Sequence, residues 1–163
     1  MLKLDDRDLK ILAILRAEGR ISKADLARRV NLSAAPCWER LQRLEKAGII
    51  TGYHAEVSLK KLGPHIVVFM AVELEQHRAE DFQLFERAID RHDEIVACYA
   101  VGGGFDYILQ VVTRDIDSYQ RLVDHLLEAR LGLARYFTYV VTKPVKQAAA
   151  LPLDLIAGRP PKE

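Results

Sequence analysis

Two residues, Asn31 and Leu32, are all that separate one short helical segment from the cap of the next, and no other feature restricts the fold so strongly. Asn is among the few residues that tolerate the left-handed backbone such a corner needs. Before the corner, Ser22 with Asp25 starts a basic helix predicted over roughly Ser22 to Val30, its cap flanked by the apolar pair Ile21 and Leu26. After it, Ser33 can cap a helix that ends at Gly48, where glycine accepts the left-handed conformation. Pro36 falls in that helix's first turn, where a missing N–H takes nothing from the helix body. Two short helices joined this way form a helix-turn-helix. Another helix precedes them from about Asp5 to Glu18, started by Asp5 with Asp8 and stopped by Gly19, with Leu9, Leu12 and Leu15 as expected core residues.

The helix after the corner buries one narrow stripe, Cys37, Leu41 and Leu44, and leaves Trp38, Glu39, Arg40, Gln42, Arg43 and Lys46 on its other faces. An ordinary solvated helix can carry such a face, so charge is needed to read it. The chain's net charge is +1, yet residues 1–62 hold 13 Lys and Arg against 8 Asp and Glu, a net of +5. Residues 63–163 hold 11 against 15, a net of −4. That split points to a polyanion-binding first part joined to a part with another task. Trp38, Glu39, Gln42 and Arg43, with Ser33, Ala34, Ala35 and Pro36 at the helix start, are therefore the candidates for the DNA major groove. Lys23, Arg28, Arg29 and Lys46 are the candidates for phosphate contacts. A three-helix module without a ligand is the bland alternative. The β-prone stretch from Ile49 to Val57, broken by Gly52, is expected as a wing or linking strand. Lys60-Lys61-Leu62-Gly63-Pro64 marks the expected boundary, giving a DNA-binding domain over 1–62, a second domain over 63–146 and a tail over 147–163.

The second domain alternates. Strands are predicted over Ile66–Leu74, Glu94–Val101, Asp106–Thr113 and Tyr136–Thr142, and helices over Glu80–Arg91 and Asp117–Ala129. The order β-α-β-β-α-β is the ferredoxin-like split arrangement, so the fold class is α+β: a winged helix-turn-helix followed by a ferredoxin-like domain. The first strand is apolar on both faces, with Ile66, Val68, Met70 and Val72 on one and Val67, Phe69 and Ala71 on the other. Two helices cover only one face of a four-stranded sheet, so the other face requires a second copy of the chain, a homodimer. In the tail, Leu151, Leu153, Leu155 and Ile156 can pack locally, and residues 158–163 are expected to be disordered.

Gly102-Gly103-Gly104-Phe105-Asp106 is the polar, glycine-rich spot between strands. It lacks the third glycine of a dinucleotide loop and leads into a strand, so the pyrophosphate mechanism is absent. A plain hairpin turn is one reading. The other is a small-molecule site, in which glycine N–H groups hold a carboxylate and Asp106 pairs with an ammonium group, the two ends of an amino acid. No catalytic set and no metal ligand set emerges from His54, His65, His77, His92 and His125. Cys37 and Cys98 read as buried thiols. The apolar run Ile66 to Val72 is far too short to span a bilayer, and no signal-peptide core follows Met1, so a cytoplasmic protein with no membrane partner is expected.

The segments Leu4-Asp5-Asp6-Arg7-Asp8, Leu32-Ser33, Pro36 to Arg40, Leu44 to Ile50, Gly103 to Tyr107 and Tyr139-Val140-Val141 together resemble the Lrp/AsnC (feast/famine) family of bacterial transcription factors, over roughly Leu4 to Lys146. The resemblance implies promoter DNA bound by the helix that begins at Ser33, and a dimer that assembles further into tetramers, octamers or larger sets. It implies an amino-acid effector, with no other cofactor, held between dimers near Gly102 to Asp106 with help from Tyr139, Val140 and Val141. The sequence departs from the family in two places. Gly104 stands where a polar or charged residue is usual, and Leu131-Gly132-Leu133 replaces the common Pro-Gly-Val. The alternative from another class is a sirohaem-decarboxylase-like enzyme, since such enzymes share the two-domain plan. A stand-alone effector-binding module is disfavoured by the complete helix-turn-helix.

Overall fold

The computed structural model describes residues 2–146 and 151–158. The chain divides into two compact units, one formed by Met1–Val57 with Lys146–Glu163 and the other by Ser58–Val145. The division falls five residues before the boundary placed at 62/63, because Leu59–Leu62 forms a helical turn that belongs to the second unit.

In the first unit, α1 spans Asp6–Ala17, α2 Lys23–Arg29 and α3 Ala34–Lys46. Asp5 and Asp8 close a reciprocal capping box: Asp8 N–H donates to Asp5 Oδ1 at 2.9 Å and Asp5 N–H to Asp8 Oδ2 at 3.0 Å. Ser22 accepts from Asp25 N–H at 3.0 Å and starts α2. Asn31 sits at φ 55°, and Leu32 N–H reaches back to Ala27 O at 2.9 Å, so the corner is the left-handed turn its sequence requires. Gly48 at φ 68° ends α3 in the same way. Ser33 occupies the cap position of α3 but its hydroxyl makes no cap bond. The reason is Pro36: it stands three residues on, where the N–H that a capping hydroxyl accepts from is absent.

The core of this unit is Ile11, Ile14, Leu26, Ala27, Val30, Cys37, Leu41 and Leu44. Leu12 and Leu15, expected inside, lie only half-buried against its edge. Helix α1 is apolar on two sides, and the stripe that meets α3 falls on residues 8, 11 and 14, a choice its periodicity cannot make alone. Residues 49–57 form no strand, in contrast to the expected wing, since no partner strand offers a ladder and a lone strand does not persist.

The second unit begins with α4 (Leu59–Leu62) and continues as β1 Ile66–Leu74, α5 Ala79–Ile89, β2 Ile95–Ala100, β3 Tyr107–Thr113, α6 Ile116–Glu128 and β4 Leu133–Val140. A further short helix, α7 (Leu153–Ile156), packs against α1 in the first unit and leaves Leu155 and Ile156 exposed. The tail expected to be disordered lies, beyond Gly158, outside the described residues. The last strand starts three residues before the predicted Tyr136, because Leu133 already pairs with Leu74 past a bulge at Glu73/Leu74. The sheet is antiparallel with order β2-β3-β1-β4, the ferredoxin-like topology.

Val68, Met70, Val72 and Leu74 of β1, Leu109 and Val111 of β3, Phe85 and Ile89 of α5, and Tyr119, Val123 and Leu126 of α6 fill the core on one face. The opposite face carries Val67, Phe69 and Ala71, Ile108 and Val112, Tyr99, and Phe137 and Tyr139, as strand alternation dictates. Phe69 is 38%, Phe137 41% and Tyr139 55% exposed, a contiguous apolar surface that no element of this unit covers. Among the described residues no helix is long and apolar enough to cross a membrane.

Candidate functional site

The outer face of α3 presents Ser33, Ala34, Ala35, Pro36, Trp38, Glu39, Arg43 and Lys46 to solvent, with Gln42 half-buried. The basic candidates around it are mostly held by the protein itself. Arg28 pairs with Asp25 at 2.6 Å, Arg29 with Glu18 at 2.6 Å and Arg43 with Asp8 at 2.7 Å. Lys23 Nζ stands 3.4 Å above the Trp38 ring, a cation–π contact that joins α2 to the exposed face of α3. Among the described residues Lys46 alone of these cations has no carboxylate or ring partner. Exposed ion pairs are worth about 0–1 kcal/mol, so a phosphate can capture Arg28 or Arg29 at little cost. Arg43 differs, because its partner is buried.

Asp8 is fully buried, the one charged residue in the core of the described chain. Arg40 Nη1 donates to Asp8 Oδ1 at 2.8 Å and to Asp5 Oδ2 at 2.6 Å, and Arg43 Nη2 donates to Asp8 Oδ2 at 2.7 Å. Burial pushes the Asp5 carboxyl up, but the Asp8 N–H and the Arg40 guanidinium outweigh it and hold the group below its ordinary 3.8. This cluster fixes α3 in rotation and depth against α1. Sequence reasoning saw Asp8 only as a cap. The signal was present as Asp-x-x-Asp at one helix start and Arg-x-x-Arg at one-turn spacing on α3, but a separation of 32 residues hides it.

The loop between β2 and β3 exposes Gly102, Gly103 and Gly104, and a Cβ added at any of them meets nothing within 4 Å. Gly103 alone sits at positive φ, 146°. Asp106 is less free than its sequence suggests: one carboxylate oxygen accepts from Leu74 N–H at 2.8 Å, and His77 Nε2 lies 3.1 Å from the other. Asp106 thus pins the end of β1 to the loop. Phe105 crosses to the open sheet face and meets Phe137 edge-on at 5.4 Å between ring centres. The remaining candidates stand apart. Asp106 N–H bonds Val72 O, whereas Tyr139 pairs with Phe69 and Val141 N–H bonds Val67 O. Three residues of strand, about 10 Å, and the width of β1 therefore separate the glycine loop from Tyr139–Val141 within one chain.

Among the described residues no group of three or more His, Cys, Asp or Glu is placed to hold a metal ion. Both cysteines are free thiols. Burial, with Glu86 nearby, pushes Cys98 up to about 11.

A three-helix unit whose helix-turn-helix exposes the outer face of its second helix, joined to a βαββαβ unit with a glycine loop, defines the class: a ligand-responsive transcriptional regulator with a separate DNA-binding unit. Residues 4–51 match the winged helix-turn-helix DNA-binding model and residues 67–151 match the Lrp/AsnC ligand binding domain. The chain belongs to the Lrp/AsnC family of transcriptional regulators. It is 48% identical over 157 residues to the transcriptional regulatory protein DoeX of Halomonas elongata, spanning 96% of this chain and 99% of that protein. It is 38% identical over 148 residues to the leucine-responsive regulatory protein of Escherichia coli, spanning 91% and 90%. An AsnC family transcriptional regulator from Agrobacterium tumefaciens superimposes with a TM-score of 0.88 at 31% identity, covering 94% of this chain and 99% of that one. A Neisseria meningitidis transcriptional regulator solved as an L-Met complex does so with 0.87 at 31% identity over the same shares. These relatives favour a regulator over the decarboxylase-like plan.

Proposed function

We propose that this regulator binds double-stranded promoter DNA as a homodimer through α3, and that an amino acid alters its assembly or its affinity for DNA. In this reading residues 1–62 are the DNA-binding domain, 63–146 the effector and oligomerisation domain, and 147–163 a tail. The observation that carries it is the outer face of α3 behind the left-handed Asn31 corner, where Ser33–Pro36, Trp38, Glu39, Gln42 and Arg43 line one exposed edge. Lys23, Arg28, Arg29 and Lys46 flank that edge as phosphate contacts. Two copies of α3 in a dimer call for a pseudo-palindromic operator.

The open sheet face supports self-association. About 500–800 Å² of apolar surface hidden there contributes on the order of 12–20 kcal/mol before association costs. The separation between Gly102–Asp106 and Tyr139–Val141 supports an effector site completed by another copy, as in a tetramer or octamer built from dimers. The protein works in the cytoplasm by binding rather than by catalysis. A mobility-shift assay on the DNA upstream of its own reading frame, with and without each of the twenty amino acids, tests the proposal. A retarded band whose affinity changes with at least one amino acid is expected; absence of any sequence-selective band sinks it.

A further inference from the structure

Trp38 is out of place on the outer face of α3. It is the chain's single tryptophan, is 36% exposed and takes no part in the core of its unit. Scattered apolar residues on a surface need no explanation by themselves. Two observations set this one apart.

First, the indole is held. Lys23, the first residue of α2, places its Nζ 3.4 Å from the ring centroid, so a cation–π contact closes one face of the ring and fixes its tilt. The ring is propped at the surface from the neighbouring helix. Second, its neighbours repeat its chemistry. Ala34 and Ala35 lie one helical turn before Trp38, and both are exposed. From Ser33 to Trp38 no side chain carries a charge. A helix-turn-helix brings the N-terminal residues of its second helix to the base edges. This N-terminal stretch therefore offers methyl groups and an indole where phosphate would call for arginine or lysine. The major groove has one apolar feature of its own, the C5-methyl group of thymine.

Resting on the proposed DNA-binding reading of α3, we infer that Trp38, with Ala34 and Ala35 beside it, reads thymine methyl groups in each operator half-site, and that Lys23 is the positioning residue that holds the indole for this contact. Gln42, one turn beyond Trp38, bonds no other side chain among the described residues, and its amide suits the N6 and N7 of adenine. The strip of residues 34, 35, 38 and 42 thus selects A·T pairs, by methyl contact first and by hydrogen bonding second.

Replacing thymine by uracil tests the inference, since it removes the methyl group and leaves base pairing and the O4 acceptor unchanged. Duplexes selected from a random-sequence library by the full chain are resynthesised with deoxyuridine at one thymine position at a time, and affinity is measured for each. At one or more positions per half-site uracil is expected to bind about fourfold more weakly, the worth of one buried methyl group. That thymine-to-uracil ratio is expected to fall to about 1 in Trp38→Gln and in Trp38→Leu, at a position where the unaltered chain discriminates. Lys23→Met is expected to narrow the ratio at the same position and Lys23→Arg, which keeps a cation over the ring, to preserve it. A lysine that only supports the fold or only touches phosphate would change both affinities equally and leave the ratio alone, which removes Lys23 from the inference. Sequence-selective binding with no loss at any uracil position, or a ratio unchanged in both Trp38 variants, overturns the inference and leaves the DNA-binding reading standing. Failure to select any duplex overturns both.

Discussion

Arg43 Nη2 donates to the buried Asp8 Oδ2 at 2.7 Å, tying the exposed face of the third helix to the start of the first. Arg43 therefore reaches any nucleic acid only from a position that Asp8 sets. Removing the carboxylate leaves Arg43 without its acceptor and Arg40 with Asp5 alone. Because Arg40 and Arg43 keep 23% and 44% side-chain exposure, water recovers part of the loss, and Asp8→Ala is expected to cost about 2–3 kcal/mol rather than the larger penalty of a fully buried pair. Trp38 is the chain's single tryptophan and lies in this unit, so denaturant titration followed by its fluorescence reads the effect directly.

The same cluster sets a pH dependence. The Asp5 carboxyl is held below its ordinary 3.8, so it binds a proton more readily in the unfolded chain. Its contribution is fully present above that ordinary value and is lost as pH falls through the lower folded value. Stability reported by Trp38 should decline on acidification below about pH 4, and the decline should be shallower in Asp5→Asn. An identical acid limb in the variant removes Asp5 from the account.

Lys46 and Arg28 are both exposed, but Arg28 already holds Asp25 at 2.6 Å whereas Lys46 has no charged partner among the described residues. Lys46→Ala should weaken DNA binding about equally at all sequences and lower the salt slope by about 1. Arg28→Ala should lower it by less, since its phosphate contact must displace an aspartate. Binding measured across a salt series decides between the two.

Phe69 and Phe137 stand on the uncovered sheet face, 38% and 41% exposed. A charge there opposes burial against another copy without disturbing the core behind the sheet. Phe69→Glu and Phe137→Glu are each expected to convert the proposed dimer to monomer in sedimentation, with the melting of the unit otherwise intact. A dimer that survives both changes places the interface elsewhere.

Under the proposed reading Asp106 has two tasks that two substitutions can separate. Its bond to Leu74 N–H at 2.8 Å needs only an acceptor, which asparagine retains. Asp106→Asn should therefore keep the fold and lose the amino-acid response of DNA binding. Asp106→Ala should lose both, at about 1–3 kcal/mol for the stranded N–H. A normal response in the asparagine variant clears the carboxylate of any part in recognition.

The elements were legible where one local rule decided them. Asn31 and Gly48 took the left-handed conformations their positions demand, and the two-faced β1 revealed an uncovered sheet surface from alternation alone. What escaped was set by partners far away in the chain. Asp8 reads as a cap until Arg40 and Arg43 close on it from 32 and 35 residues away. Ile11 and Ile14 displaced Leu12 and Leu15 from the core because α3, not α1, chose the buried stripe. The stretch 49–57 has β propensity but no ladder to join. Ser33 reads as a capping hydroxyl, yet Pro36 removes the donor it would have bound.

Gly104 meets no atom within 4 Å of where a Cβ would stand, and unlike its neighbour Gly103 it does not adopt a positive φ. A Cβ can be installed there without backbone strain or collision within the chain. Under the proposed reading this makes residue 104 a tuning position, a single codon at which the regulator's chemical vocabulary can drift. The scaffold resists such drift at Gly103 and Asp106, so a change of signal needs no change of architecture.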